Sequence, residues 1–142
     1  MTIVRSKAAV WFGRVVWLGI LANFALAIPT LIVPERLMAM ANVPPASPLM
    51  WVRFSAWLLI LLSFMYMPGA VNLYRYRAPA WLSVTSRLAG VLFFATQAPE
   101  YRLFGLFDFV FLVPEAILLT IALRHVPVGD VDGRRLESST AS

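Results

Sequence analysis

The sequence predicts an all-α integral membrane four-helix bundle with both termini in the cytoplasm. Three observations predict it: composition, four long apolar runs, and an uneven distribution of Lys and Arg between the connections. Hydrophobic residues make up 61% of the 142 residues and charged residues only 13%, with a mean hydropathy of +0.78. A water-soluble domain of this size could not hide so large an apolar fraction in its interior. A bilayer core of roughly 30 Å needs about 20 apolar residues per helix, and the runs 15–33, 49–73, 80–98 and 103–123 meet that length. They are continuously apolar and lack the alternation of a barrel strand, so helices are expected.

Residues 1–14 read as an N-terminal arm, 15–125 as the transmembrane domain and 126–142 as a polar, disordered tail without periodicity. The first run follows Arg5 and Lys7 and contains Ala25-Leu26-Ala27, which imitates a secretory signal. It continues to Val33, too long for the apolar region of such a signal, and is expected to remain as the first helix. The connection Pro34–Pro48 is the longest, and Leu37, Met38, Met40 and Ala41 predict a short interfacial helix stopped by Pro44 and Pro45. Most prolines fall between runs. Pro29, Pro68 and Pro114 lie inside them, where each frees a backbone carbonyl one turn upstream.

Orientation follows from the basic residues. Arg5, Lys7, Arg14, Arg75, Arg77, Arg124, Arg134 and Arg135 fall on one side of the runs, against Arg36 and Arg102 on the other. The positive-inside rule places the first set, and with it both termini, in the cytoplasm. Trp11, Trp17, Tyr74, Tyr76 and Trp81 mark the cytoplasmic ends, and Trp51, Trp57, Tyr101 and Phe104 the outer ends. The net charge of +5 is then a matter of topology and anionic lipid, and no nucleic-acid partner is expected. The expected partners are the lipid bilayer and either another membrane protein or further copies of this chain.

Without cysteine there is no disulfide, thiol catalysis or iron-sulfur cluster, and a single histidine, His125, excludes a pair of axial haem ligands within one chain. Neither a metal nor another cofactor is expected. The informative residues are the charges inside the runs, because a lone charge there is expensive. Counting about 1.5 Å per residue, Arg87 and Glu115 lie about 10 and 12 Å from the cytoplasmic side. Arg53 and Asp108 lie about 6 and 7 Å from the outer side. The depths predict two ion pairs, Arg87 with Glu115 and Arg53 with Asp108. Asp108 and Glu115 are two turns apart and share a face. Ser83, Arg87, Gly90, Phe94 and Gln97 form one stripe of the third helix, Arg53, Ala56, Ile60 and Ser63 one of the second, and Val16, Gly19, Asn23, Ala27 and Thr30 one of the first. The candidate site is a polar seam of Glu115, Arg87, Asp108, Arg53, Asn23, Ser83 and Gln97. Three roles fit it: a structural device setting helix register, a site where Glu115 binds a proton, cation or polar lipid head and Arg87 tunes it, or a surface facing a partner.

Three segments, Phe64-Met-Tyr-Met-Pro-Gly-Ala-Val-Asn-Leu-Tyr-Arg-Tyr-Arg77, Ser86-Arg87-Leu-Ala-Gly-Val-Leu-Phe-Phe94 and Phe104-Gly-Leu-Phe-Asp108, resemble small four-helix bacterial membrane proteins of a DoxX-like kind. The resemblance covers Val15 to Leu123 at the level of architecture. It implies a bacterial inner-membrane location and carries over no functional residue. Function is expected to be that of a non-catalytic accessory or assembly subunit of a membrane complex. The alternatives are a small oligomeric proton- or ion-coupled carrier using Glu115, and a membrane-embedded binder or enzyme for a lipid or quinone-like molecule.

Overall fold

Helix boundaries in the computed structural model follow capping chemistry more closely than hydropathy. The structure describes residues 6–124; Arg5, His125 and the tail read as disordered over 126–142 lie outside the described residues. Helix α1 spans Lys7–Ile32 and so begins well before the first apolar run. Ser6, in extended conformation, accepts the Ala9 N–H on its Oγ, and this N-cap starts the helix in the polar arm. The same Ser6 hydroxyl is bonded to the Tyr74 hydroxyl at 2.9 Å, and Tyr74 donates to the Ala122 carbonyl. One chain of hydrogen bonds thus ties three segments together at this end of the bundle.

The short helix expected in the long connection is α2, Pro34–Met40. Pro34 sits in its first turn, where a missing N–H costs nothing. It ends in a Schellman arrangement: Asn42 adopts φ 55°, its N–H bonds the Ala39 carbonyl, and the Val43 N–H bonds the Met38 carbonyl. Helix α3 spans Met50–Val71, α4 spans Arg77–Ala95, and after a 3-10 turn at Pro99–Tyr101, α5 spans Arg102–Arg124. Pro29, Pro68 and Pro114 are accommodated inside α1, α3 and α5.

Helices α1, α3, α4 and α5 are each long and apolar enough to cross a membrane. They run alternately up and down and form a closed ring in which α1 packs on α3 and α5, and α4 on α3 and α5. Helices α3 and α5 therefore lie across the ring from each other. Outward faces are apolar: Leu18, Leu21, Leu92, Val110 and Ile117 are all exposed. The buried residues include Phe12, Val16, Ile20, Val84 and Leu119 together with Asn23, Ser63, Ser83, Arg87 and Glu115. An apolar outer surface around a core that also holds polar and charged groups is unlike a water-soluble bundle.

Glycines set how closely two pairs of helices approach. A Cβ on Gly13 of α1 would stand 2.5 Å from the Ala70 carbonyl oxygen of α3, and one on Gly69 of α3 would stand 2.6 Å from the Ala80 nitrogen of α4. Both contacts are to backbone, so no side-chain rotation could relieve them.

Candidate functional site

Arg87 is the centre of the buried polar residues. It lies on α4 and is only 2% exposed, and Glu115 on α5 is fully buried. Arg87 Nε donates to Glu115 Oε1 at 3.0 Å, and Nη1 donates to Asp108 Oδ1 at 3.3 Å. One guanidinium thus serves two carboxylates two turns apart on the facing helix. The planar fork of arginine can do this, whereas a lysine ammonium is a single point charge. The guanidinium also lies over the Phe111 ring at 4.7 Å from its centroid, a cation–π contact that covers one face. Phe111 is one turn from Asp108 and one turn from Glu115, which puts all three on one side of α5.

Glycine makes room for these charges. A Cβ on Gly19 of α1 would collide with Arg87 Nη2, and a Cβ on Gly90 of α4 would collide with Asp108 Oδ2. The Ser83 hydroxyl lies beside the Glu115 carboxylate while donating to the Ala80 carbonyl at 3.0 Å. A second polar link joins α1 to α3: Asn23 Nδ2 donates to Ser63 Oγ at 3.0 Å, and Ser63 donates to the Leu59 carbonyl. Tyr66 and Ser86 bond hydroxyl to hydroxyl between α3 and α4. Among the described residues, three buried polar atoms have no hydrogen-bond partner: Asn23 Oδ1, Arg87 Nη2 and Glu115 Oε2.

The expected pair of Arg87 with Glu115 is therefore present, and the expected pair of Arg53 with Asp108 is not. Asp108 turns to Arg87 instead, while Arg53 is exposed and has no ion pair among the described residues. Two physical reasons apply. Arg53 lies on α3, across the ring from α5. At about 100° per residue, it also stands about 60° beyond Ala56, on the side away from the buried Ser63 and Tyr66. Equal depth says nothing about direction around the helix axis. Gln97 also stays out of the cluster, donating to the Phe93 carbonyl and to Thr96 Oγ1 at the end of its own helix. Asn23 and Ser83 do face the interior, as the helical stripes require.

Tyr66 and Phe111 were not among the expected site residues. Tyr66 continues the Ala56 and Ser63 stripe by one turn, and Phe111 lies between Asp108 and Glu115 in helical register, so spacing contained both signals. Hydropathy hid them, because an aromatic residue in an apolar run looks like any other. Among the described residues no three His, Cys, Asp or Glu side chains come together as a metal site.

Ser63→Ala should leave Asn23 Nδ2 as a further buried donor without a partner. The expected loss is about 1–3 kcal/mol, read as a lower unfolding midpoint of the purified protein in detergent micelles. Ser63→Thr, which keeps the hydroxyl, should lose less.

Fold and site together define a small all-helical protein with four long apolar helices around an arginine held by two carboxylates. Comparison with family models, with curated proteins and with solved structures finds no match. The four long apolar helices are consistent, at the level of architecture, with a small membrane protein, and no family match supports the DoxX-like resemblance.

Proposed function

We propose that the chain is a multi-pass protein of the bacterial inner membrane and a non-catalytic accessory or assembly subunit of a larger membrane complex. The Arg87 cluster acts as its internal clamp. The observation that carries the reading is that the buried charges are directed at one another: Arg87 spends two of its nitrogens on Asp108 and Glu115 and stacks on Phe111. A group of this kind holds α4 to α5 in one register, the best-attested structural use of buried ion pairs.

Insertion is supported by the apolar outward faces of the four long helices. Both termini are assigned to the cytoplasm on the basic residues flanking that end of the bundle. There Arg14 lies over Trp11 at 4.9 Å and Arg75 over Tyr76 at 5.4 Å, exposed aromatic and basic groups of the kind found at headgroup level.

A second reading, a binder for a lipid or quinone-like molecule, is favoured by one feature. A groove of about 370 Å³ between α1 and α5 is lined by Leu26, Leu103, Leu106, Phe107 and Phe111 among others. Phe111 forms part of its wall and also covers Arg87. Purification in a mild lipid-preserving detergent, with mass spectrometry of co-purifying proteins and small molecules, separates the readings. A stoichiometric membrane-protein partner is the expected outcome. Recovery of the chain alone, with a retained small molecule that Phe111→Ala loses, would replace the subunit reading by the second.

A further inference from the structure

Counting charge in the cluster leads beyond a clamp. Two carboxylates, Asp108 and Glu115, face one guanidinium, so the fully ionised cluster carries one uncompensated negative charge. Arg87 and Glu115 are removed from solvent, and Asp108 is 22% exposed. The other groups around Glu115 do not correct the balance. From α4 come Arg87 and the uncharged Ser83, from α5 Asp108, and from α3 the phenol of Tyr66. Helix α1 contributes Gly19 and Asn23 to the interior, and its ionisable residues Lys7 and Arg14 are exposed near its start. An isolated buried charge is costly enough that such groups ordinarily acquire a partner or a proton.

The hydrogen bonding points to where the missing positive charge goes. Glu115 Oε2 is buried and has no hydrogen-bond partner. The nearby Ser83 hydroxyl lies beside the Glu115 carboxyl and 3.0 Å from the Ala80 carbonyl, and its one proton can serve only one of them. When it donates to the carbonyl, its lone pair gives a carboxylate nothing but accepts from a carboxylic acid. A metal ion fits this place poorly, because the guanidinium already occupies the space between the carboxylates and would repel it. A proton requires no additional room.

We infer that the Arg87, Asp108 and Glu115 cluster is a one-proton site: one carboxylate takes up a single proton, becomes a carboxylic acid and brings the cluster to neutrality. The two carboxyls are bound to the same guanidinium, so the proton belongs to the pair as a coupled unit. Asp108 is the partly exposed member of the pair and Glu115 the buried one. This extends the role of the cluster beyond holding helices in register and does not depend on which partner the chain assembles with.

The test is infrared spectroscopy of the full chain in lipid nanodiscs at pH 7, reading the carbonyl stretch of a protonated carboxyl as the difference between wild type and variants. The wild type should show one such band, equivalent to one proton per chain. Asp108→Asn and Glu115→Gln each bring the cluster to zero charge, so each should abolish the band whichever carboxyl carries the proton. Glu35→Gln and Glu100→Gln, which change acids away from the cluster, should leave it intact. A wild type with no protonated-carboxyl band would overturn the inference, and this arm needs no variant to fold. A band that survives in both cluster variants would also overturn it. So would displacement of the proton by sodium chloride, but not choline chloride, at constant pH, because the site would then take a monovalent cation.

Discussion

Arg87→Met is expected to be the most damaging single substitution in the chain. It removes the one cation from between the partly exposed Asp108 and the fully buried Glu115, so the negative charge left on that pair has no counter-charge. Removing one member of a buried ionic group costs about 3–5 kcal/mol, a large fraction of the margin by which most domains are stable. The variant should accumulate poorly and show a markedly lower unfolding midpoint in detergent micelles. Most of that loss belongs to the stranded carboxylates, so the triple variant Arg87→Met, Asp108→Asn, Glu115→Gln should recover much of it. If the triple variant were as unstable as Arg87→Met alone, the cost would lie in lost packing against Phe111 and Gly19, and the electrostatic account would fail.

Gly69→Val is expected to have the second largest effect, for a steric reason. Any Cβ at this position meets Ala80 backbone atoms, with the nitrogen at 2.6 Å and the Cα at 2.9 Å. Two helix backbones would have to move apart, and overpacking of this kind costs about 1–3 kcal/mol or more. Separation of α3 from α4 would also stretch the bond between Tyr66 and Ser86. Gly105→Ala is the milder comparison, because there the nearest atom is the Phe94 Cβ at 3.0 Å, and α4 and α5 need to give only slightly to admit the methyl group. Thermal unfolding of both variants should rank Gly69→Val well below Gly105→Ala. Equal midpoints would mean that close approach of α3 to α4 contributes little.

These expectations separate what was legible along the chain from what was not. Four long helices were legible because apolar run length is a local property. The Schellman end of α2 and the cap at Ser6 were less so, since they move boundaries by several residues without altering hydropathy. The interior stripes of α1 and α4 were readable from 3.6-residue spacing: Val16, Gly19, Asn23 and Ala27 are buried on one, Ser83 and Arg87 on the other. The pair of Arg87 with Glu115 was predicted from depth, and it forms because α4 and α5 are neighbours.

By itself, then, the sequence determined the all-helical class, the number of long apolar helices, and which faces of α1 and α4 turn inward. Each of these depends on composition or on spacing within one segment. Only the tertiary structure decided the partners: Asp108 joins Arg87 and leaves Arg53 on the exterior, Gln97 closes its own helix, and Tyr66, Phe111 and Gly19 surround the charged centre. Such choices depend on the order of helices around the ring and on each helix's rotation about its axis. Both are set by side chains packing from other segments, and no single run of residues contains that information.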